Sequence, residues 1–265
     1  MSTRVALHVH SSYSDGEFSI PELREVFLRL GCRAVLMSDH ADFFTADKVA
    51  AYVEDCARAS STGLLFLPGL EYTCQRGMHI LGYGMRSLVD STDPECVIAH
   101  IRESGGVAVI AHPRDDMFPW IEQFQVRPHG IEVWNSKYDG RYAPRPGTFA
   151  LVGRMRGRGD VIWGFYGQDL HWHKQARTLF TELETSVESD RDILRQLEGG
   201  LFAGRKDDLQ LSSNGDLDPA LARRFHVVHH RARRMRQWMV LVKKATGPIG
   251  RNIPAPIKAQ LRRLF

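Results

Sequence analysis

Six of the twelve histidines in this 265-residue chain stand near carboxylates, where short apolar runs end. His8-Val9-His10 closes the first run, and Asp15 follows in the loop Ser11-Ser12-Tyr13-Ser14-Asp15-Gly16. His40 ends the second, in Ser38-Asp39-His40, and Glu71 ends the third, in Gly69-Leu70-Glu71. His79 stands beside the fourth, in Met78-His79-Ile80-Leu81-Gly82-Tyr83; His112-Pro113 ends the fifth, and Asp169-Leu170-His171 closes the seventh. Residues two apart in a strand share a face, so His8 and His10 can reach one metal ion, and Asp169 and His171 repeat the spacing. A lone histidine in such a place is more often a core or surface residue. Three carboxylates and six imidazoles together are costly unless cations fill the space between them. Imidazole and carboxylate without thiolate suit Zn2+, Mn2+ or Fe2+.

Those runs must be strands that converge. Residues 4–8, 34–38, 64–70, 78–83, 107–111, 130–134 and 161–166 are short, apolar and rich in β-branched or aromatic side chains. Segments of helical period lie between most of them. Ser19-Ile20-Pro21-Glu22 has capping-box spacing and opens a helix to about Leu30, stopped by Gly31. Residues 45–59 and 94–103 read as two more helices. A strand over 177–184 and a helix over 190–198 complete the body near Arg205. Alternating strands and helices imply an α/β fold with parallel strands and helices outside, and about seven strands suit a closed or nearly closed barrel. In such a barrel the C-terminal strand ends meet on one face, where the site is found.

The ordered motifs HxH, SDG, SDH, GLE, HILGY, HP, EVWN and GQDLH, spread over residues 4–205, resemble the PHP (polymerase and histidinol phosphatase) superfamily of metal-dependent phosphoesterases. The resemblance implies a distorted, TIM-like (β/α)7 barrel holding up to three metal ions. It implies His8, His10, Glu71 and Asp169 around one ion, with Glu71 bridging to a second held by His79 and His112. Asp15, His40 and His171 would hold the third, and Asp39 would orient a ligand imidazole. The expected nucleophile is a metal-bridging hydroxide at a di- or trinuclear centre. Asp169, His171 and Asp39 are the expected catalytic residues, and either His171 or a metal-bound water protonates the leaving group. Three divalent ions, three carboxylates and one hydroxide leave a charge of about +2, a sign that stabilises a phosphoryl group. Arg114, after His112-Pro113, is a candidate phosphate-binding residue. So are Asn135, Lys137 and Arg141, in the loop after the sixth strand. Tyr72, Trp134 and Trp172 flank ligand positions and could stack on a ring of the leaving group. Cys74 has no visible activating partner and is not expected to be catalytic.

A hydrophobic fraction of 43% with 25% charged residues excludes a disordered or fibrous chain. No signal-peptide pattern and no run near the roughly 18–20 apolar residues of a spanning helix is present. Cys32, Cys56, Cys74 and Cys96 form no CxxC pair and read as reduced thiols, so a cytoplasmic protein, or one peripheral at a membrane, is expected. The charge is split. Of 35 Lys and Arg residues, 12 follow Leu221, where Asp and Glu are absent, leaving 23 to face 31 acidic residues, a net of −8. The expected organisation is a hydrolase barrel over 1–205, a turn-rich linker over 206–218 and a basic amphipathic helical tail over 219–265. Its helix starts at Asp218-Pro219 and runs to Thr246, with Phe225, Val228, Ala232, Met235, Met239 and Val242 as an apolar stripe. A second basic segment covers 257–265. The tail suits docking on the acidic body, attachment to an anionic membrane surface, or binding to a polyanion such as nucleic acid. His226, His229 and His230 read as a protonatable face of its helix, and His100, His129 and His173 as loop or surface residues. The expected activity is hydrolysis of a phosphate monoester, a small metabolite or a nucleotide. A phosphotyrosyl protein, a nucleic-acid end, amide hydrolysis on the same scaffold, or a non-enzymatic module held by the tail are the other readings.

Overall fold

The computed structural model describes residues 2–139, 143–175 and 178–245, the last as backbone alone at 232, 233, 236 and 239–245. Its first half contains β1 (Thr3–Val9), α1 (Ile20–Arg29), β2 (Ala34–Met37), β3 (Asp39–His40), α2 (Ala46–Ala59), β4 (Leu65–Leu67), β5 (Gly69–Cys74), β6 (Met78–Tyr83), α3 (Pro94–Glu103) and β7 (Val107–Ala111). There follow α4 (Phe118–Ile121), β8 (Gly130–Asn135), α5 (Pro146–Gly157), β9 (Trp163–Gly167), β10 (Leu179–Leu183), α6 (Asp190–Glu198), β11 (Phe202–Lys206), β12 (Leu209–Ser212) and α7 (Pro219–Ala245).

The strands form two six-stranded mixed sheets, ordered β12-β11-β10-β1-β2-β4 and β3-β5-β6-β7-β8-β9. Single residues separate them. Ser38 divides β2 from β3, and Pro68, which has no N–H to give a ladder, divides β4 from β5. The pairing of Leu36 with Leu67 resumes beyond these breaks as Asp39 with Leu70. On the opposite side, the segment after β9 runs along β1: Gln168 N–H donates to Leu7 O at 2.9 Å, and His10 N–H to Leu170 O at 3.0 Å. Strands β2, β7 and β8 are buried at every residue, as strands covered on both faces must be.

Helices close over this core through capped, one-sided segments. In α1, Ile20, Leu23 and Phe27 are buried, and Ser19 N–H donates to Glu22 Oε2 at 2.8 Å. Thr45 caps α2 by accepting from Lys48 N–H, while Val49, Tyr52 and Cys56 face inward. Burying a side chain such as Phe27 contributes about 2–3 kcal/mol.

Strand direction departs from the parallel set expected. Strand β6 is antiparallel to both β5 and β7. Only Gln75–Gly77 join it to β5, too few residues for a crossover. Arg76 and Gly77 turn that corner with φ of 58° and 68°. Strands β10, β11 and β12 are also antiparallel and extend the first sheet from the edge of β1. Residues 209–212, expected to be part of a polar connector, form the edge strand β12, of which only Leu211 is buried. Helix α5 was not expected. Its start, Pro144-Arg145-Pro146-Gly147, looks like a loop, although its buried residues (Thr148, Phe149, Leu151, Val152, Met155) recur at three- and four-residue steps and share one side of the helix. The expected end of α7 at Thr246 and the second basic segment lie outside the described residues, as does Arg177 of the strand expected over 177–184. Among the described residues, no helix is long and apolar enough to cross a membrane.

Candidate metal centre

Strand ends bring the chemistry together. His8 lies near the end of β1 in left-handed backbone, φ 62°, and the β1–β2 ladder shifts register there between Leu7 and Val9. Plain strand alternation therefore does not place His8 and His10; an irregularity at His8 does, and it leaves the two rings 5.2 Å apart. His112 (φ 28°) after β7 and Asp169 (φ 52°) after β9 are left-handed too, a conformation held only where the surroundings compel it. His40 ends β3 and Glu71 lies within β5. His79 is the second residue of the antiparallel β6, so it reaches the same mouth from the opposite chain direction.

All nine expected groups converge, with Glu71 (1% exposed) at their centre. Its Oε2 lies 3.5 Å from His8 Nε2, 3.3 Å from His10 Nε2 and 3.3 Å from His40 Nδ1. Its Oε1 lies 2.8 Å from His79 Nδ1 and 3.3 Å from His112 Nε2. Asp169 Oδ1 is 3.8 Å from the Nε2 atoms of His8 and His10 and 3.1 Å from His171 Nδ1. Asp15 is 3.6 Å from His10 Nδ1, 3.7 Å from His40 Nε2 and 3.3 Å from His171 Nε2. Four overlapping groups could hold a metal ion: His10, Asp15, His40 and His171; His8, Glu71 and His112; His8, His10 and Asp169; and His40, Glu71 and His79.

The donors fit a cation. His8 Nε2 and both ring nitrogens of His10 are buried without a hydrogen-bond partner among the described residues, a cost that a metal ion would relieve. Burial pushes the His10 and His40 pKa values down, which favours neutral rings with free lone pairs. Burial would lower that of His8 as well, but Glu132, Asp169 and Glu71 raise it well above the ordinary value. Burial would raise Glu71 and Asp169, yet His8 and the neighbouring imidazoles hold both well below the carboxylate range. The carboxylates therefore stay charged, and the negative charge felt by His8 is what would draw a cation in.

Buried polar residues behind the cluster hold it in place. Glu132 of β8 takes a hydrogen bond from His8 Nδ1–H on Oε1 at 2.7 Å. Its Oε2 accepts from the His112 backbone N–H and from Asn135 Nδ2, each at 3.0 Å. With Nδ1–H committed to Glu132, His8 would present Nε2 to a cation that takes the place of its proton. A Cβ at Gly167 would collide with the Glu132 carboxylate, so the close approach of β9 requires glycine. The signal for Glu132 was slight, a single acid inside the apolar run Gly130-Ile131-Glu132-Val133-Trp134.

Two residues make contacts other than those expected of them. Asn135, expected to bind phosphate, is fully buried; its Nδ2 also donates to Asp169 Oδ2 at 3.1 Å, and its Oδ1 accepts from the N–H groups of Lys137 and Tyr138. It positions Asp169 and a loop. Asp39, expected to orient an imidazole, instead accepts from Ser11 N–H (2.8 Å), Ser11 Oγ–H (2.9 Å), Ser14 N–H (3.1 Å) and Ser14 Oγ–H (2.7 Å). It pins the loop that carries Asp15.

A family model described as the PHP domain matches residues 6–240. The chain belongs to the PHP domain family. The match continues past Arg205, where the motifs stop, through β12 and most of α7. Among solved structures, the chain is similar to a two-domain protein containing a predicted PHP-like metal-dependent phosphoesterase from Bacteroides vulgatus (16% identity, TM-score 0.57). That likeness covers 79% of this chain and 66% of the other, so this chain spans just under two thirds of that protein. It is also similar to PsfC from Pseudomonas syringae (17% identity, 88% and 98% covered, TM-score 0.54). A third neighbour is an amidohydrolase from Chromobacterium violaceum with bound sulfate and no metal (17% identity, 74% and 96% covered, TM-score 0.51). At these identities the likeness is one of fold. No curated protein is significantly similar in sequence.

Beside the PHP centre lies a cavity of about 350 Å3 whose walls include His79, His112, Arg114, Tyr138, Arg145 and His229. Lys137 reaches into the cluster, with Nζ 3.3 Å from Asp169 Oδ1 and 3.2 Å from His171 Nε2, near the rings of Tyr138 and Trp172. Arg114 stands at the cavity edge, paired with both oxygens of Asp116 at 3.1 and 3.2 Å. Arg141 lies outside the described residues. Arg145, which had no assigned role, precedes α5 and pairs with Asp139, whose carboxyl burial pushes up to about 6. His229 arrives from α7, while His226 and His230 are exposed. No local signal marks Arg145 or His229, because distant parts of the chain bring them there. Of the three candidate stacking rings, Tyr72 and Trp134 are buried, and Trp172 is 44% exposed. The Cys74 thiol is buried and pushed up to about 12, which leaves it unreactive. His129 is buried between strands instead of lying on the surface.

Proposed function

We propose that this PHP protein hydrolyses phosphate monoesters of small metabolites or nucleotides. The centre would be di- or trinuclear, held by His8, His10, Asp15, His40, Glu71, His79, His112, Asp169 and His171. One observation carries the reading. Glu71 offers one oxygen to His8, His10 and His40 and the other to His79 and His112, the disposition of a carboxylate shared between cations. Zn2+, Mn2+ or Fe2+ bound there would supply hydroxide at neutral pH and positive charge against the phosphoryl oxygens.

The chain's own residues do the rest. Glu132 orients His8, Asn135 orients Asp169, and Asp39 holds the loop of Asp15. Lys137 is the cation placed to donate to a phosphoryl oxygen, and Arg114 can meet the substrate at the cavity edge. Trp172 is the ring left accessible to cover a leaving group. The breaks at Ser38 and Pro68, together with the pairing of residues 168–170 with β1, support reading the two sheets as one distorted (β/α)7 barrel. The name of the Bacteroides neighbour agrees with a phosphoesterase, whereas that of the Chromobacterium neighbour makes an amide the contrasting substrate.

Protein loaded with Mn2+ or Zn2+ is expected to hydrolyse p-nitrophenyl phosphate and to leave p-nitroacetanilide intact. His8→Ala should lower turnover by more than about 100-fold. Undiminished turnover in that variant, or no transition metal retained on elemental analysis, would end this reading.

A further inference from the structure

Helix α7 has two unlike faces. Leu221, Phe225 and Val228 turn inward, and Phe225, 3% exposed, meets the ring of Trp134. Arg224 lines a cleft of the body together with Lys206, Asp207 and Asp208. Val227, Arg231, Arg234 and Trp238 follow one another at steps of four, three and four residues, which stacks them as one stripe on another face. All four are exposed, Val227 by 49% and Trp238 by 58%, with exposed Met235 beside them.

An indole more than half exposed next to guanidinium groups is poorly suited to water and well suited to a lipid headgroup layer. There its ring enters the acyl boundary while the arginines meet phosphates. No acidic side chain follows Asp218, so nothing along the rest of the chain opposes an anionic surface. The helix is too charged to enter the bilayer, which makes the contact a surface one. Nucleic acid would satisfy the arginines but leave Val227 and Met235 uncovered. We propose that α7 holds this protein on an anionic membrane surface, with Arg231, Arg234 and Trp238 as its anchors.

The test is co-sedimentation of the full-length protein with vesicles, phosphatidylcholine alone against phosphatidylcholine with about one-third phosphatidylserine. Binding is expected only to the mixed vesicles, weakening as salt is raised. Arg231→Glu with Arg234→Glu should weaken it at least about tenfold, and Trp238→Ala by several-fold, with the melting temperature unchanged. No sedimentation of the wild type with either vesicle overturns the proposal. So does binding to an oligonucleotide that matches the vesicle binding and is insensitive to Trp238→Ala, which would mark a general polyanion site.

Discussion

Glu132 accepts three hydrogen bonds on two oxygens, one from the ring of His8 and one from the backbone of His112. A buried carboxylate is tolerable only when satisfied in this way. Glutamine in its place would turn an amide N–H2 against one of those donors and remove the charge that fixes the His8 tautomer. Glu132→Gln is expected to weaken metal binding by about 10–100-fold, read by calorimetric titration of the metal-free protein with Zn2+. Unchanged affinity would mean that something else orients His8. The residue opens the EVWN motif, but its role was illegible in the sequence for a physical reason. An acid within an apolar strand reads as the solvent-facing half of an alternation, but β8 is buried at all six of its residues. The metal-type residues were legible because imidazoles and carboxylates seldom gather at the ends of apolar runs. Asp39 and Asn135 mark the boundary: their neighbourhood follows from the sequence, while their partners depend on how two loops fold back.

Among the elements, β7, β8 and β9 are tied together at one point outside the cluster. The His129 backbone exchanges hydrogen bonds with Ala108 and Trp163, and its Nδ1 accepts from Ala108 N–H at 3.0 Å. Burial pushes its pKa down to about 4, so the native state keeps the ring neutral. The unfolded chain takes up a proton at the ordinary value near 6.5, so it binds more protons between those two values. This contribution is complete above about pH 6.5 and is lost as the pH falls toward 4, on the order of 3 kcal/mol in all. The stability gap between wild type and His129→Gln, from urea unfolding, should shrink by that order between about pH 7.5 and pH 4. A gap independent of pH would show that the ring titrates alike in the native and unfolded protein. Capped helices such as α1 and α3 were legible because their end signals are local. The direction of β6 was not read, since strand runs give no polarity; the brevity of the 75–77 connection was its one clue.

For the whole molecule, charge and packing divide the chain differently. The acidic part ends at Asp218, yet Leu221, Phe225 and Val228 pack on the body and His229 stands in the cavity wall. Phe225→Ala is expected to cost about 3–5 kcal/mol in urea unfolding. Trp238→Ala should change stability by less than about 0.5 kcal/mol, because its ring lies in solvent. Equal effects would show that the helix docks along its whole length or not at all. The overlap also limits how this protein can be taken apart. A fragment cut where the charge changes sign would lose the cover over Trp134 and one wall of the cavity. Its poor turnover could then be mistaken for proof that the basic segment is catalytic. The stretch from Pro219 to His229 belongs to the fold by its contacts and to the tail by its charge. Exchange of the tail between proteins should succeed only if the join falls after His229.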